Sequence, residues 1–527
     1  MLTTTGDEHH VMSIRGEPQQ LVDKGFKKPV MPVDTTSDIR GAMTRTKMFI
    51  KVKSRLVARG DMQKMEDYVG KDLSSSTPDC MLVFTVIAIA ASEHRHVMAA
   101  DIGGAYLNAP MDDSSPAVYI SIEPRLSQIL AEIDPSYKKA IQLNGTIIAR
   151  LKKCLYGCIE SAKRWQTHVV TVLKGLGFEE NPHDPCILNK TTKNGQVTVV
   201  LYVDDLLITS KSLDDIHAVR DAVIAVYKEV KSQDGPRVEF LGMSIDLSTP
   251  GKASITMDGM VQKIISDSLT DKLSFTTKSP AGDDLFDTLT KSPLLNEKRR
   301  RHFHTMVARL QYLSRRVKPE IQLAVAMLAT RVTKATELDQ SKLDRVIRYL
   351  HQSHNDGQRG IELTPGEAGV QPFGYFDAAY GVHADAKSHT GSCITIGTSG
   401  PICTESVRQT IVTKSSTEAE LVALSDSANQ LIHIRNILIA QGHPQGPAII
   451  YQDNMSCMSL IDKGKPTSKR SRHIAIRFFW VHDRSESGEV TIVHRPTQLM
   501  GPANVLTKPT QGSQFIDERL QLTNWRS

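Results

Sequence analysis

Two sets of acidic residues have types and spacings that suit phosphoryl chemistry. In the first, Asp101 closes the apolar run VMAADI (97–102), and Asp204 and Asp205 interrupt VTVVLYVDDLLITS (197–210). An Asp-Asp pair is common in turns, because aspartate bonds to nearby backbone there. Here strand-forming residues flank the pair on both sides, which solubility does not explain. If the two segments are neighbours in one sheet, three carboxylates meet at one end of it. Such a cluster repels itself unless a cation joins it. Mg²⁺ or Mn²⁺ favours carboxylate and phosphate oxygens. Two such ions about 4 Å apart promote in-line displacement at phosphorus.

The second set lies further along. Asp377 ends a strand in FGYFDAAYG (373–381), Glu420 falls in the first turn of a helix in KSSTEAELVALS (414–425), and Asp453 links strand to helix in IIYQDNMSCMSLI (449–461). Each has a plainer explanation. An acid in a first helical turn is favoured by the dipole, and Glu418 competes with Glu420 for that part. Asp453 suits an N-cap. Taken together, acids at strand ends and helix starts again fit a two-metal phosphodiesterase site.

The elements that must position these groups follow from periodicity. The runs around Asp204 and Asp205 predict a hairpin. Ser212 then caps a helix with Asp214 and Asp215 in its first turn and Ile216, Val219, Val223, Val226 and Val230 at helical spacing. Met81–Ser92 reads as an apolar helix, and KVKSRLVARG (51–60) as an edge strand carrying cations. Three helices are expected across 302–352. The Gly/Pro-rich stretch 354–372 marks a boundary. Strands near 373–377, 391–397 and 406–413 precede a long helix opening at Ser416. A strand (447–451), a short helix (454–463) and a strand (489–494) follow.

Composition sets bounds. Hydrophobic residues make up 40% and charged residues 23% of the 527, which predicts globular folding. A net charge of +6 permits a polyanionic partner without requiring one. The 7 cysteines are odd in number and irregularly spaced, so reduced thiols in an intracellular compartment are expected. No window approaches a membrane-spanning run. The N-terminus lacks the basic start and apolar core of a secretory signal.

Several motifs resemble those of copia-type LTR retrotransposon Pol polyproteins, in the region that joins reverse transcriptase to RNase H. LYVDDLLI resembles the YVDD box, and DIGGAYLNAP the first-aspartate motif, which runs close to DVKTAFLNG. RLVARGDMQ, LKKCLYGCIESAKRW and FLGMSI also have family counterparts, in family order. FGYFDAAYG, KSSTEAELVALS, IIYQDNMSCMSLI and GPANVLTKP resemble the RNase H segments.

The resemblance implies an α+β right-hand polymerase of palm, fingers and thumb, followed by an α/β RNase H-like domain. Asp101, Asp204 and Asp205 would hold one pair of Mg²⁺ or Mn²⁺ ions, and Asp377, Glu420 and Asp453 another. Lys53, Arg55, Tyr106 and Gly157 would contact the nucleotide, with Tyr106 rejecting a 2′-hydroxyl. Leu241 and Gly242 would grip the primer. Trp165 reads as core, and His473, His482 and His494 as structural. RNA template, DNA primer, RNA–DNA hybrid and dNTPs would be the partners, in a cytoplasmic virus-like particle or the nucleus, with no membrane role.

Three departures stand out. Gly103-Gly104 replaces the family's Lys-Thr. Glu160 puts an acid near the presumed nucleotide site, which predicts weaker triphosphate binding by repulsion. Asn504 replaces the fourth RNase H acid, which predicts weakened hybrid cleavage. The expected organisation is an N-terminal extension (1–46), fingers and palm (47–250), thumb and connection (251–370), an RNase H-like domain (371–510) and a tail (511–527), as part of a longer polyprotein or a decayed copy. Two other functions suit the same residues: a non-catalytic nucleic-acid-binding remnant, and a nuclease with a decayed polymerase.

Overall fold

Four β-sheets and their covering helices follow one another along the described part of the chain. The computed structural model describes residues 18–25, 27–35, 39, 43–49, 55–111, 116–270, 277–288, 291–366, 369–464 and 475–526. The first sheet, in the order β1-β6-β5-β2-β3, joins β1 (Lys27–Pro29), β2 (Met43–Phe49), β3 (Arg55–Ala58), β5 (Tyr119–Ile122) and β6 (Ile147–Leu151). Its inner residues Ile120, Ile122, Ile147 and Ala149 pack on Leu126 and Leu130 of helix Pro124–Ile133.

The second sheet carries the first acidic set. Its order is β11-β4-β10-β9-β8-β7, from β4 (His96–Ile102), β7 (Glu179–Asn181), β8 (Asp184–Thr192), β9 (Gly195–Tyr202), β10 (Asp205–Ser210) and β11 (Val230–Asp234). Both faces of β4 are buried, and its residues alternate between two cores as strand geometry dictates. Met98, Ala100 and Ile102 face helices Ser161–Gly175 and Leu213–Tyr227. Val97 and Ala99 face helix Cys80–Ser92. That helix is apolar all round because it is sandwiched: residues Met81–Ala91 are all buried, between this sheet and the sheets that follow.

Ser212 caps the next helix as expected, accepting from the Asp215 N–H. Ile216, Val219 and Val223 are buried. The expected helical stripe stops there. Val226 is 48% exposed, Tyr227 takes the inward position, and Val230 opens β11.

The third sheet runs β12-β13-β14-β15, from β12 (Arg237–Phe240), β13 (Met243–Asp246), β14 (Ala253–Thr256) and β15 (Gly360–Leu363). Helices Glu297–Ser314, Gln322–Ala329 and Glu337–Asn355 lie between β14 and β15, the three expected over 302–352. Strand β15 was not foreseen. It lies within the Gly/Pro-rich stretch, pairs with β14 some hundred residues earlier, and so leaves no local pattern.

The last sheet is mixed, in the order β18-β17-β16-β19-β20. β16 (Pro372–Ala379), β17 (His389–Ile396) and β18 (Pro401–Arg408) are antiparallel, while β19 (Ala448–Gln452) and β20 (Val490–His494) run parallel to β16. Helix Ser416–Ala440 packs on β16. β18 begins and ends earlier than the 406–413 expected. Residues expected as a tail instead form helix Gly512–Thr523, with Phe515 edge-on to Tyr349 at 5.6 Å and the Trp525 indole N–H donating to Gly357 O at 2.8 Å. Among the described residues, no helix is long and apolar enough to cross a membrane.

Candidate active sites

Register brings the first acidic set together. β10 pairs antiparallel with both β9 and β4, which places Asp205 directly opposite Asp101. Opposed residues project from the same face with their Cβ atoms about 5 Å apart. The Ile102 N–H donates to Asp204 O at 2.9 Å, fastening the turn residue to the same strand. The β9–β10 turn consists of Val203 and Asp204, and Val203 has φ +58°. A branched residue there is strained by about 1–3 kcal/mol and persists only when its surroundings hold it. The Trp165 indole does so, donating to Val203 O at 2.6 Å. Trp165 is 1% exposed, as a core residue should be, yet its polar edge secures the acidic turn. Burial first, then the charges of Asp204 and Asp101, push Asp205 up to about 6. The three acids thus act on one another's charge, although among the described residues only Asp377, Glu420 and Asp453 bring carboxylate oxygens within 4.8 Å of one another.

The surrounding residues divide. Tyr106 lies on helix Ala105–Asn108, five residues beyond Asp101, with its ring edge-on to Tyr156 at 4.6 Å. Gly103 and Gly104 are explained by what adjoins them. Gly104 has φ +60°, and a Cβ there would sit 3.0 Å from Lys24 Nζ and 2.9 Å from Gln20 Nε2. Lys24 Nζ donates to Gly103 O at 2.9 Å and to Asn108 Oδ1 at 3.1 Å, and lies 3.7 Å from Glu229. A cation from the N-terminal segment thus braces the loop from which the family's lysine is missing. Sequence reasoning passed over Lys24, because the segment around it looked like a polar extension. The Gly-Gly pair was the available signal.

Gly157 makes a close approach within the protein itself. A Cβ there would lie 2.1 Å from Ala58 O, so the glycine lets this loop meet β3. Glu160 is buried and ion-paired to Arg164 at 2.7 Å, so its charge is largely compensated. Lys53 lies outside the described residues. Arg55 opens β3 opposite Phe49, with its side chain outside what is described. Leu241 and Gly242 form the two-residue tip of the β12–β13 hairpin, with φ +51° and +76°. Tyr312, which sequence reasoning missed, donates its hydroxyl to Leu241 O at 3.2 Å, and Arg316 stacks over its ring at 3.6 Å.

The second set also converges. One carboxylate oxygen from each of Asp377, Glu420 and Asp453 lies within 4.8 Å of the others. Asp377 is buried on β16, Glu420 is buried on helix Ser416–Ala440, and Asp453 follows β19. The competition with Glu418 is settled by geometry: Glu418 accepts from the Lys414 N–H at 2.8 Å and closes the helix start, leaving Glu420 to the cluster. Burial, then Asp377 and Asp453, raise Glu420 well above the usual carboxyl range. Asp377 accepts from the Thr507 hydroxyl and pairs with Lys508 Nζ at 3.2 Å. Thr497 donates to Asp453 at 2.8 Å. Asn504 is 4% exposed, and its amide donates to Thr497 O at 3.0 Å. Its Oδ1 is buried without a hydrogen bond. His482 bonds to Ile461 O at 2.9 Å and His494 ends β20, both in structural settings. His473 is outside the described residues.

Residues 42–280, which include this sheet and its acidic turn, match the family described as reverse transcriptase (RNA-dependent DNA polymerase). The chain carries a reverse transcriptase domain. Over most of its length it is similar to the Pol polyproteins of transposons. It is 24% identical over 479 residues to the retrovirus-related Pol polyprotein from transposon TNT 1-94 of Nicotiana tabacum, covering 88% of this chain and 34% of the relative. It is 26% identical over 474 residues to that from transposon RE2 of Arabidopsis thaliana, covering 88% and 30%. The chain thus spans about a third of the length of these curated relatives. Among solved structures, the foamy viral protease-reverse transcriptase dRH in complex with ds DNA matches with a TM-score of 0.51 at 14% identity, covering 92% of this chain and 70% of that one. The foamy viral protease-reverse transcriptase in complex with RNA/DNA hybrid gives a TM-score of 0.50 at 12% identity, covering 92% and 54%. The fold is that of a reverse transcriptase polymerase.

Proposed function

We propose that the chain is an RNA- and DNA-directed DNA polymerase with a second, hybrid-cleaving site. The observation that carries the polymerase reading is the register of Asp205 opposite Asp101, with Asp204 fastened to the same strand. Asp101, Asp204 and Asp205 would hold two Mg²⁺ or Mn²⁺ ions. When bound, these supply activation of the primer hydroxyl and stabilisation of the leaving oxygen. The primer 3′-oxygen would form a bond to the α-phosphorus of a dNTP as the bond to pyrophosphate breaks, with the hydroxyl proton passing to solvent water. Tyr106 would sit under the incoming sugar and exclude a 2′-hydroxyl. Lys53 and Arg55 would face the triphosphate, and the Leu241-Gly242 tip would hold the primer end. Gly157 shapes this region by admitting β3.

The second reading concerns the C-terminal sheet. An RNase H-like domain over 371–510, behind fingers and palm (47–250) and thumb and connection (251–370), is supported by the converging Asp377, Glu420 and Asp453 and by the mixed sheet order. These residues would hold the second ion pair. Asn504 cannot supply a fourth full charge, and cleavage would be weakened accordingly. The double-stranded DNA and RNA/DNA hybrid carried by the foamy viral structures are the partner classes proposed here too.

Primer extension on a poly-A/oligo-dT template with Mg²⁺ or Mn²⁺, beside a hybrid-cleavage assay, tests both parts. Extension abolished by Asp204→Asn is the expected result. Binding without extension would point to a non-catalytic remnant, and cleavage without extension to a nuclease.

A further inference from the structure

The loop between Asp101 and Tyr106 is held from outside its own sheet. It contains Gly103 and Gly104, which place no side chain between the first acid and the ring proposed to face the sugar. Paired glycines leave a backbone more conformations than other residues would. Both polar groups of Gly103 are nevertheless engaged. Its N–H donates to Glu229 O at 2.8 Å, and its carbonyl accepts from Lys24 Nζ at 2.9 Å. Lys24 Nζ also donates to Oδ1 of Asn108 at 3.1 Å, the last residue of the short helix that carries Tyr106, and lies 3.7 Å from the Glu229 carboxylate. The Asn108 amide returns to Gly103 O at 3.3 Å and to Gly104 O at 3.2 Å. One ammonium therefore clasps both ends of the segment 103–108. The Lys24 side chain is only 14% exposed. A desolvated ammonium is costly unless its donors are taken up, and two hydrogen bonds and an ion pair do that here.

The segment that delivers this cation is itself anchored. Residues 18–23 are helical, and Leu21 is fully buried in the core that also takes Leu107, the residue after Tyr106. Gln20 Nε2 donates to Glu229 Oε2 at 2.8 Å, so the same helix also holds the Glu229 carboxylate. Lys24 precedes residues 42–280, the stretch that matches the reverse transcriptase family, so the clasp comes from outside the matched region. We infer that Lys24 is a positioning residue for nucleotide selection: it holds the Gly103–Asn108 segment so that the Tyr106 ring stands at a fixed distance from the incoming sugar. The inference rests on the reading of Asp101, Asp204 and Asp205 as a polymerase site. A single oxygen separates a ribonucleotide from a deoxyribonucleotide, so the excluding ring must be held to within about 0.5 Å. Without the clasp, the glycine pair lets the ring withdraw and admits the hydroxyl.

Single-nucleotide incorporation by the full chain, measured with a dNTP and with the matching rNTP, tests this. The readout is the ratio of the two kcat/KM values. A loss of folded protein lowers both alike and leaves the ratio unchanged, whereas a displaced ring alters it. Lys24→Met keeps the aliphatic stem and removes the clasp. It should lower the preference for the dNTP about threefold. Combining Lys24→Met with Tyr106→Ala should cost no more selectivity than Tyr106→Ala alone, because the clasp then has no ring to place. Additive losses would overturn the inference, since Lys24 would then act by another route. An unchanged ratio in Lys24→Met would also overturn it, and would leave the polymerase reading intact. An unaltered chain that incorporates neither nucleotide would sink the polymerase reading and this inference with it.

Discussion

Asp101 and Asp205 meet across one pair of adjacent strands, whereas Asp377, Glu420 and Asp453 come from a strand, a helix and the end of a second strand. The first cluster is fixed by backbone register and one braced turn. Its Asp205 is half-buried, and no ion pair reaches Asp101 or Asp205 among the described residues. The second cluster is more deeply buried and brings its own cation: Lys508 pairs with Asp377, and its protonated form is favoured by all three acids despite partial burial. An open cluster leaves its repulsion to be relieved by ions and substrate. A buried cluster must have part of that relief built in, because desolvated like charges are far more costly.

The largest expected effect separates the two sites outright. Asp204→Asn should lower primer extension about a thousandfold, equivalent to about 4 kcal/mol, and leave hybrid cleavage intact. Glu420→Gln should do the reverse. If either substitution silenced both activities, the sites would not be independent. Next in size, Lys508→Met should destabilise the metal-free protein by about 2 kcal/mol in denaturant unfolding, a figure already discounted because the ammonium is partly exposed. Saturating Mg²⁺ should recover much of that loss. Asn504→Asp should raise hybrid cleavage about tenfold. No gain would place the weakness elsewhere in the second site.

Two smaller effects probe the open cluster. Asp205 titrates near 6 in the fold against an ordinary value near 4. The folded protein therefore binds more protons between those values, and its stability falls as pH rises through them. Asp205→Asn should accordingly stabilise the metal-free protein by about 1 kcal/mol above pH 6, after discounting for solvent access, with the gain gone near pH 4. A gain that persists at pH 4 would mean that charge is not its cause. Tyr106→Ala should relax discrimination against ribonucleotides about fivefold in single-nucleotide incorporation.

How much of each site was legible in the sequence follows from the range of the interactions that make it. The hairpin at Asp204, the cap at Ser212 and the helix opening at Ser416 are local, and they emerged where expected. The identity of Glu420 over Glu418 was not legible. Both suit a first helical turn, and only the backbone N–H of Lys414 decides between them. Glu160 read as a hazard because Arg164, one helical turn away, was not considered as its partner.

The chain alone determined which residue types recur at strand and helix periods, and hence the acidic turn, its flanking strands and most helices, because these depend on neighbours a few residues apart. Tertiary structure decided what long separations control. It placed Lys24 against the Gly103-Gly104 loop, paired β15 with β14, turned the expected tail into a packed helix and set Lys508 beside Asp377. Each of these depends on groups that meet only after the chain has closed a long loop, and such closure leaves little trace in local spacing.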